Sequence, residues 1–146
     1  MSRIHNSLAL CLAGLILSLM VVGFVSGTPI RHAIQLVPAV ICLAMVWRGV
    51  AWSASAALPI LAFWLFIMIL IWLFLLGIAR ILTGHYSPTE IAMTITVGIS
   101  CLLGMIVSVR GPGGASWVSR FASFAFFLGL QSAALWMSLR PMFSRR

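Results

Sequence analysis

Five apolar runs, each about as long as a helix that crosses a bilayer, follow one another along this chain. They cover residues 7–26, 29–47, 57–80, 88–109 and 117–139. A transmembrane helix needs about 20 mostly apolar residues, because about 30 Å of hydrocarbon must be crossed at about 1.5 Å per residue. The composition, 63% hydrophobic and 7% charged residues, is likewise far from that of a water-soluble domain. The sequence therefore predicts an all-α, polytopic membrane helix bundle, a single transmembrane domain over residues 1–146 with about five helices in the lipid bilayer.

Four transmembrane helices are an alternative to five, because two of the runs need not form one. The first run could be a cleaved signal sequence, since Val25 and Gly27 could precede a cleavage site. Its apolar stretch is longer than the usual about 7–15 residues, which favours a retained helix. The second run carries Pro38 near its middle, where a proline removes a backbone hydrogen bond and usually kinks a helix. Cleavage of the first run, or failure of the second to cross, would leave four.

The net charge of +8 comes from nine arginines, most of them single, that lie at or near the ends of the apolar runs. A basic protein can bind nucleic acid by neutralising phosphates. Isolated arginines at helix ends are instead typical of anchors at the membrane interface. We therefore expect no nucleic-acid partner.

With five helices the two termini lie on opposite sides of the membrane, which sorts the arginines into two faces. The face of the carboxyl terminus holds five of them: Arg31, Arg80, Arg140, Arg145 and Arg146. The other face holds four, so the positive-inside rule predicts a cytoplasmic carboxyl terminus. The absence of lysine indicates a GC-rich coding sequence and favours a bacterial source, which places the chain in the inner membrane.

Polar side chains are concentrated at the membrane face of the carboxyl terminus. They share a similar depth at or near the helix ends: Arg31, His32, Gln35, Arg80, His85, Glu90, Gln131 and Arg140. Arginine supplies planar donor forks, and polar groups within a membrane are often functional, so this cluster could bind a lipid head group or a small anion. The same residues could also be interface anchors that never meet.

Glu90 is the only carboxylate side chain of the chain, and it lies at a predicted helix start. Ser87, Pro88 and Glu90 match the pattern of a capping box, with a serine cap, proline at the first helical position and glutamate at the third. A carboxylate there accepts a hydrogen bond from a backbone amide that has no helical partner. We therefore predict that Ser87 and Glu90 form a helix cap.

Small and weakly polar residues recur at helical spacing in the first, fourth and fifth runs. The positions predicted to allow close helix packing are Gly14, Ser18, Thr94, Gly98, Cys101, Gly129 and Ala133. The third run has almost no small residue between Phe63 and Leu76, and large apolar side chains on every face suit contact with lipid or a partner. The pattern predicts a core of helices one, four and five, with helix three outermost.

The residues needed for common catalytic chemistry are scarce. One carboxylate cannot form an acid and base pair, and the three histidines are too scattered to indicate a metal site. The three cysteines fall in three different runs, where we interpret them as small buried hydrophobes. We therefore expect no catalytic residues, metal or cofactor, and a protein that is not an enzyme.

Two functions remain open from the sequence. The first is an accessory or assembly subunit of a larger inner-membrane complex, with the third helix against a protein partner or with the chain as a homo-oligomer. The alternative is a small membrane carrier, or a sensor of a ligand or lipid, with the polar cluster as its site. A kinked second helix would then be its moving part.

Overall fold

The computed structural model describes residues 3–81, 84–110 and 115–140, and within these ranges its regular structure is entirely α-helical. The helices are α1 (Arg3–Val25), α2 (Pro29–Trp47), α3 (Ser53–Leu75), α4 (Pro88–Val109) and α5 (Trp117–Ser138). All five are long and apolar enough to span a membrane. The prediction of a polytopic membrane helix bundle is confirmed. Of the predicted interface arginines, Arg145 and Arg146 and the side chain of Arg3 lie outside the described residues.

The ends of α3 differ from the predicted span of 57–80. The helix begins at Ser53 and ends at Leu75, because Gly77 takes a backbone φ of 73° that a helix cannot continue through. The amide of Ile78 donates to the carbonyl of Leu73 at 2.9 Å, and that of Gly77 to Phe74 at 3.0 Å, which together form a Schellman motif. Arg80 therefore lies in the connection after α3.

Helix α2 runs through Pro38 without a break in its assigned span. The Pro38 side chain is fully buried, and the helix keeps the length and hydropathy of a membrane span. It follows α1 after a turn of three residues, in which Gly27 has a φ of 69°. This tight turn therefore joins two full spans.

Helix α3 packs against three other helices, α2, α4 and α5, so the prediction that it is outermost is wrong. Nine of its residues are buried. Ala56 and Ala57, near its start, are fully buried and lie outside the segment on which the prediction depended. Farther along, Trp64, Met68 and Ile71 follow at helical spacing and fill the core with large side chains.

Helices α1 and α4 pack closely, as the small residues predicted. A Cβ on Gly14 would lie 2.8 Å from the Ser100 Oγ, and one on Gly98 would collide with the Trp72 ring. Ser18, Thr94 and Cys101 are buried. Gly104, which the sequence analysis missed, marks the meeting of three helices, because its Cβ would lie 3.2 Å from Cys11 of α1 and 2.8 Å from Leu61 of α3.

Helix α5 makes its extensive contacts with α2 and α3, not with α1 or α4. The predicted packing positions Gly129 and Ala133 are exposed, and a Cβ on Gly129 would meet nothing within 4 Å. The buried face of α5 carries Phe127, Gln131 and Ser138 instead. The predicted role of Gly129 and Ala133 is therefore wrong, because α5 turns its hydrogen-bonding face inward.

Candidate functional site: a cavity at one end of the bundle

A partly open cavity of about 540 Å³ lies among the five helices at one end of the bundle. Its polar lining residues come mainly from α2, α4 and the α1–α2 turn: Ser26, Thr28, Arg31, His32, Gln35, Tyr86, Glu90 and Thr94. Apolar side chains of α1, α3, α4 and α5 form the remaining wall. The charged residues lie in the first turns of α2 and α4, whereas Trp64 is the central residue of α3. The cavity therefore extends from the charged face to about the middle of α3, roughly 16 Å along that helix.

Four residues of the predicted polar cluster line this cavity, and four do not. Arg31, His32, Gln35 and Glu90 are brought together there. The others, Arg80, His85, Gln131 and Arg140, are not among the lining residues. Arg80 and His85 are exposed in the α3–α4 connection, and the Arg140 guanidinium lies 3.9 Å from the centroid of the Trp136 ring. The eight residues were grouped by their similar depth in the membrane, but only four of them lie in the same cavity.

Glu90 forms the capping box that the sequence predicts. Its Oε2 accepts from the Ser87 amide at 2.7 Å, and the Ser87 Oγ accepts from the Glu90 amide at 3.3 Å. Pro88 occupies the first helical position, where its missing N–H is not needed. The cap holds the carboxylate, half-buried, in the wall of the cavity.

His32 is held by a contact with Thr28, the residue that precedes its own helix. Its Nδ1 lies 3.1 Å from the Thr28 carbonyl oxygen, which fits a neutral imidazole that donates from Nδ1. That tautomer leaves Nε2 as a hydrogen-bond acceptor. Gly23 of α1 makes room for the ring, because a Cβ there would lie 2.9 Å from the His32 Cβ. This role of Gly23 was not predicted from the sequence.

Gln35 connects the cavity to the contact between α2 and α5. Its Nε2 donates to the Ser138 Oγ at 2.8 Å, and the Gln131 Nε2 donates to the Gln35 backbone carbonyl at 3.3 Å. All three residues are buried, and the Gln131 Oε1 has no hydrogen-bond partner among the described residues. Interhelical hydrogen bonds of this kind stabilise membrane bundles by about 0.6 kcal/mol on average.

Two tryptophans of α3 were not predicted as site residues. The Trp72 Nε1 donates to the Thr94 Oγ1 at 3.0 Å, and that hydroxyl donates to the Ile91 carbonyl at 2.7 Å. Trp64 lines the cavity, is 4% exposed, and its Nε1 has no acceptor among the described residues. Both tryptophans lie inside an apolar run, where an indole N–H needs a hydrogen-bond partner. That requirement is the sequence feature that could have marked them as site residues.

Tyr86 lines the cavity from the connection that precedes α4, outside the membrane spans. Burial raises the pKa of its phenol, and the negative charge of Glu90 raises that pKa further. The ring also packs against Phe74, with 6.0 Å between ring centroids. Tyr86 therefore stays protonated at neutral pH and supplies a hydroxyl donor beside the carboxylate.

The other reactive side chains do not converge on the cavity. Among the described residues, no three His, Cys, Asp or Glu side chains come together as metal ligands. Cys42 and Cys101 are buried, Cys11 is half-buried, and all three are free thiols. A second cavity of about 300 Å³, lined by Trp52 and residues of α5 such as Ser123 and Phe126, has no charged residue in its lining.

Together, the fold and the cavity define a five-helix membrane protein with a partly polar site among the described residues. Comparison of the chain with protein-family models, with curated proteins and with solved structures found no match.

Proposed function

We propose that the protein is a non-enzymatic membrane binding protein, a small carrier or sensor, that takes up one small molecule in the cavity beside Arg31, His32 and Glu90. The observation that carries this proposal is the cavity itself, about 540 Å³ between a charged rim and an apolar interior. Ligand sites are usually cavities of about 300–1,000 Å³, mostly apolar, with a few polar groups that orient the ligand.

The charges at the rim support the same proposal. Arg31 and Glu90 bring opposite charges to one opening, and His32 adds a polar imidazole ring. Charged groups near hydrocarbon are costly, which favours a function for those that line a cavity. A ligand with an apolar body would lie inside, with its polar end at the rim.

The amino-terminal half of α2 is the proposed moving part. Arg31, His32 and Gln35 all precede Pro38. Because proline lacks an N–H, the helical ladder is weakest at this point, and bending there would move all three side chains together.

The proposed location is a bacterial inner membrane, with the carboxyl terminus in the cytoplasm. The cavity lies at the ends of α1, α3 and α5 and at the starts of α2 and α4, so it would open to the cytoplasm. Reporter fusions at the carboxyl terminus should behave as cytoplasmic. Periplasmic behaviour would invert the bundle and the cavity with it.

A matched pair of substitutions on α4 tests the binding function. Val97 is fully buried and lines the cavity, whereas Ile99 is exposed on the outer face of the same helix. After gentle extraction, native mass spectrometry should detect a bound small molecule on the wild type and on Ile99→Phe. Val97→Phe, which fills the cavity, should remove it. The same bound species on all three proteins, or on none, would count against the proposal.

The accessory-subunit function remains a second proposal, with a different surface. Nine residues of α3 are buried, and the helix packs against α2, α4 and α5 of this chain. Less of its surface is therefore available to a protein partner than the sequence suggested. The exposed Gly129 and Ala133 of α5 are residues of the kind that allow close helix packing in membranes. Native mass measurement would detect a co-purifying protein or a second copy, and monomer alone would remove this proposal's support.

A further inference from the structure

Arg31 is the arginine that lines the cavity at this end of the bundle. Arg80 and Arg140 of the same face are exposed, whereas Arg31 is half-buried in the cavity lining. Among the described residues, its guanidinium has no hydrogen bond and no ion pair. Its N–H donors are therefore available to an occupant of the cavity.

Glu90 lies at the same opening, and its carboxylate is only partly used by the helix cap. Its Oε2 accepts from the Ser87 amide, and its Oε1 has no hydrogen bond among the described residues. The charges of Arg31 and Glu90 both act on the His32 imidazole, yet no ion pair joins the two groups. Charged groups near hydrocarbon usually pair with one another. Here both keep the capacity to bind a partner that the chain does not supply.

Opposite charges at one opening select against a ligand that carries a single charge. An anion that binds Arg31 would lie near the Glu90 carboxylate, and a cation that binds Glu90 would lie near the guanidinium. Bringing like charges together in one site costs binding free energy and excludes the wrong partner. A ligand with both an acid group and an ammonium group would pair both charges at once.

The rest of the lining adds one hydroxyl donor and a large apolar surface. Tyr86 is protonated at neutral pH, because burial and the negative charge of Glu90 both raise the pKa of its phenol. The apolar surface includes Phe63, Ile67 and Ile71 of α3. Such a surface favours a ligand with an apolar body behind its charged end.

We infer that the ligand of this cavity is a zwitterionic amphiphile, with its acid group at Arg31, its ammonium group at Glu90 and its apolar body against α3. This inference rests on the proposed binding function and names its ligand class. Two kinds of molecule have this chemistry, a free amino acid with a long apolar side chain and a phospholipid with an amine head group. They differ in the acid group, which is a carboxylate in the first and a phosphate in the second.

Four probes with the same ten-carbon chain test the two charges: 2-aminodecanoic acid and decylphosphocholine as zwitterions, decanoic acid as the anion, and decylamine as the cation. Binding to the full-length protein is measured by isothermal titration in one nonionic detergent at mildly alkaline pH, with protein-free micelles as the reference. We expect a zwitterion to bind roughly 10-fold more tightly than either singly charged probe, because it alone pairs both charges. Preference for 2-aminodecanoic acid would indicate a free amphiphile, and preference for decylphosphocholine would indicate a lipid head group.

Neutral substitutions then remove the two charges one at a time. Glu90→Gln keeps an acceptor for the Ser87 amide and should abolish the preference for the zwitterion over decanoic acid. Arg31→Gln should abolish the preference for the zwitterion over decylamine. Arg48→Gln, at an exposed arginine of the opposite face, should preserve both preferences.

The possible outcomes separate the ligand class from the binding function. Tightest binding of a singly charged probe, or equal affinity of all four for the wild type, would overturn the inference; loss of that binding in Val97→Phe would leave the binding function standing. A preference that survives both Arg31→Gln and Glu90→Gln would also overturn the inference. No binding of any probe, or binding that Val97→Phe does not change, would count against both. Because the four affinities are compared on the wild type, the test holds even if a variant does not fold.

Discussion

Helices α4 and α5 carry similar stripes of small residues and use them in opposite ways. On α4, Thr94, Gly98 and Cys101 are buried against α1 and α3. On α5, Gly129 and Ala133 are exposed, and the helix packs through its aromatic and hydrogen-bonding residues. Small residues permit close approach, but lipid is as apolar as the bundle interior and does not decide which face turns inward. Polar side chains in the hydrocarbon region need hydrogen-bond partners within the protein, and this need determines which face of a helix turns inward.

The strongest way to break this comparison is the same substitution at one glycine of each helix. Gly98→Ala should destabilise the protein by roughly 1–3 kcal/mol, because the new Cβ collides with a Trp72 ring held by Thr94. Gly129→Ala meets open space and should be neutral or stabilising by up to about 1 kcal/mol. Unfolding of both variants in one detergent is the measurement. Equal effects would show that the two stripes are equivalent after all.

A smaller effect is expected at the start of α4, which is set by its own cap. Glu90→Ala should cost about 1 kcal/mol in unfolding free energy, because the Ser87 amide loses its acceptor. Glu90→Gln keeps an oxygen for that amide and should cost only a few tenths of this. Thermal unfolding of the two variants distinguishes the cap from a charge effect. If Gln were as harmful as Ala, the negative charge would be what matters.

The smallest effect tests the hydrogen-bonding face of α5. Ser138→Ala removes the acceptor of the Gln35 Nε2 and should cost about 0.6 kcal/mol. Ser132→Ala, on the exposed face of the same helix, removes only a bond to its own backbone and should change stability by less than about 0.5 kcal/mol. Chemical unfolding of the pair measures the difference. A larger loss of stability in Ser132→Ala than in Ser138→Ala would show that the packing face of α5 has been assigned incorrectly.

The fold class and the local helix start were readable from the sequence, because both depend on residues close together in the chain. Span length follows from hydropathy, and the Ser87–Glu90 cap follows from a spacing of three residues. The position of α3 was not readable, since large apolar residues suit both lipid and core. Only helix packing distinguishes them.

The candidate site was half readable for a related reason. Counting residues from helix ends gives depth, and Arg31, His32, Gln35 and Glu90 do share both depth and a cavity. Arg140 shares their depth but not their lateral position, which depends on contacts between distant segments. Trp64 was missed because its unpaired N–H becomes visible only when the surrounding side chains are placed.

The contact of α1 with α4 also determines the order in which the bundle can be completed during synthesis. Helix α2 follows α1 directly, but α4 ends at Val109, more than eighty residues after Val25. At about 5–20 residues per second, α1 waits several seconds for α4 to be made. During this interval its Cys11 and Gly14, which later lie against Gly104 and Ser100 of α4, face lipid or a neighbouring protein. In water such a delay would expose an aggregation-prone surface, whereas in a bilayer it leaves this face of α1 among acyl chains at little cost.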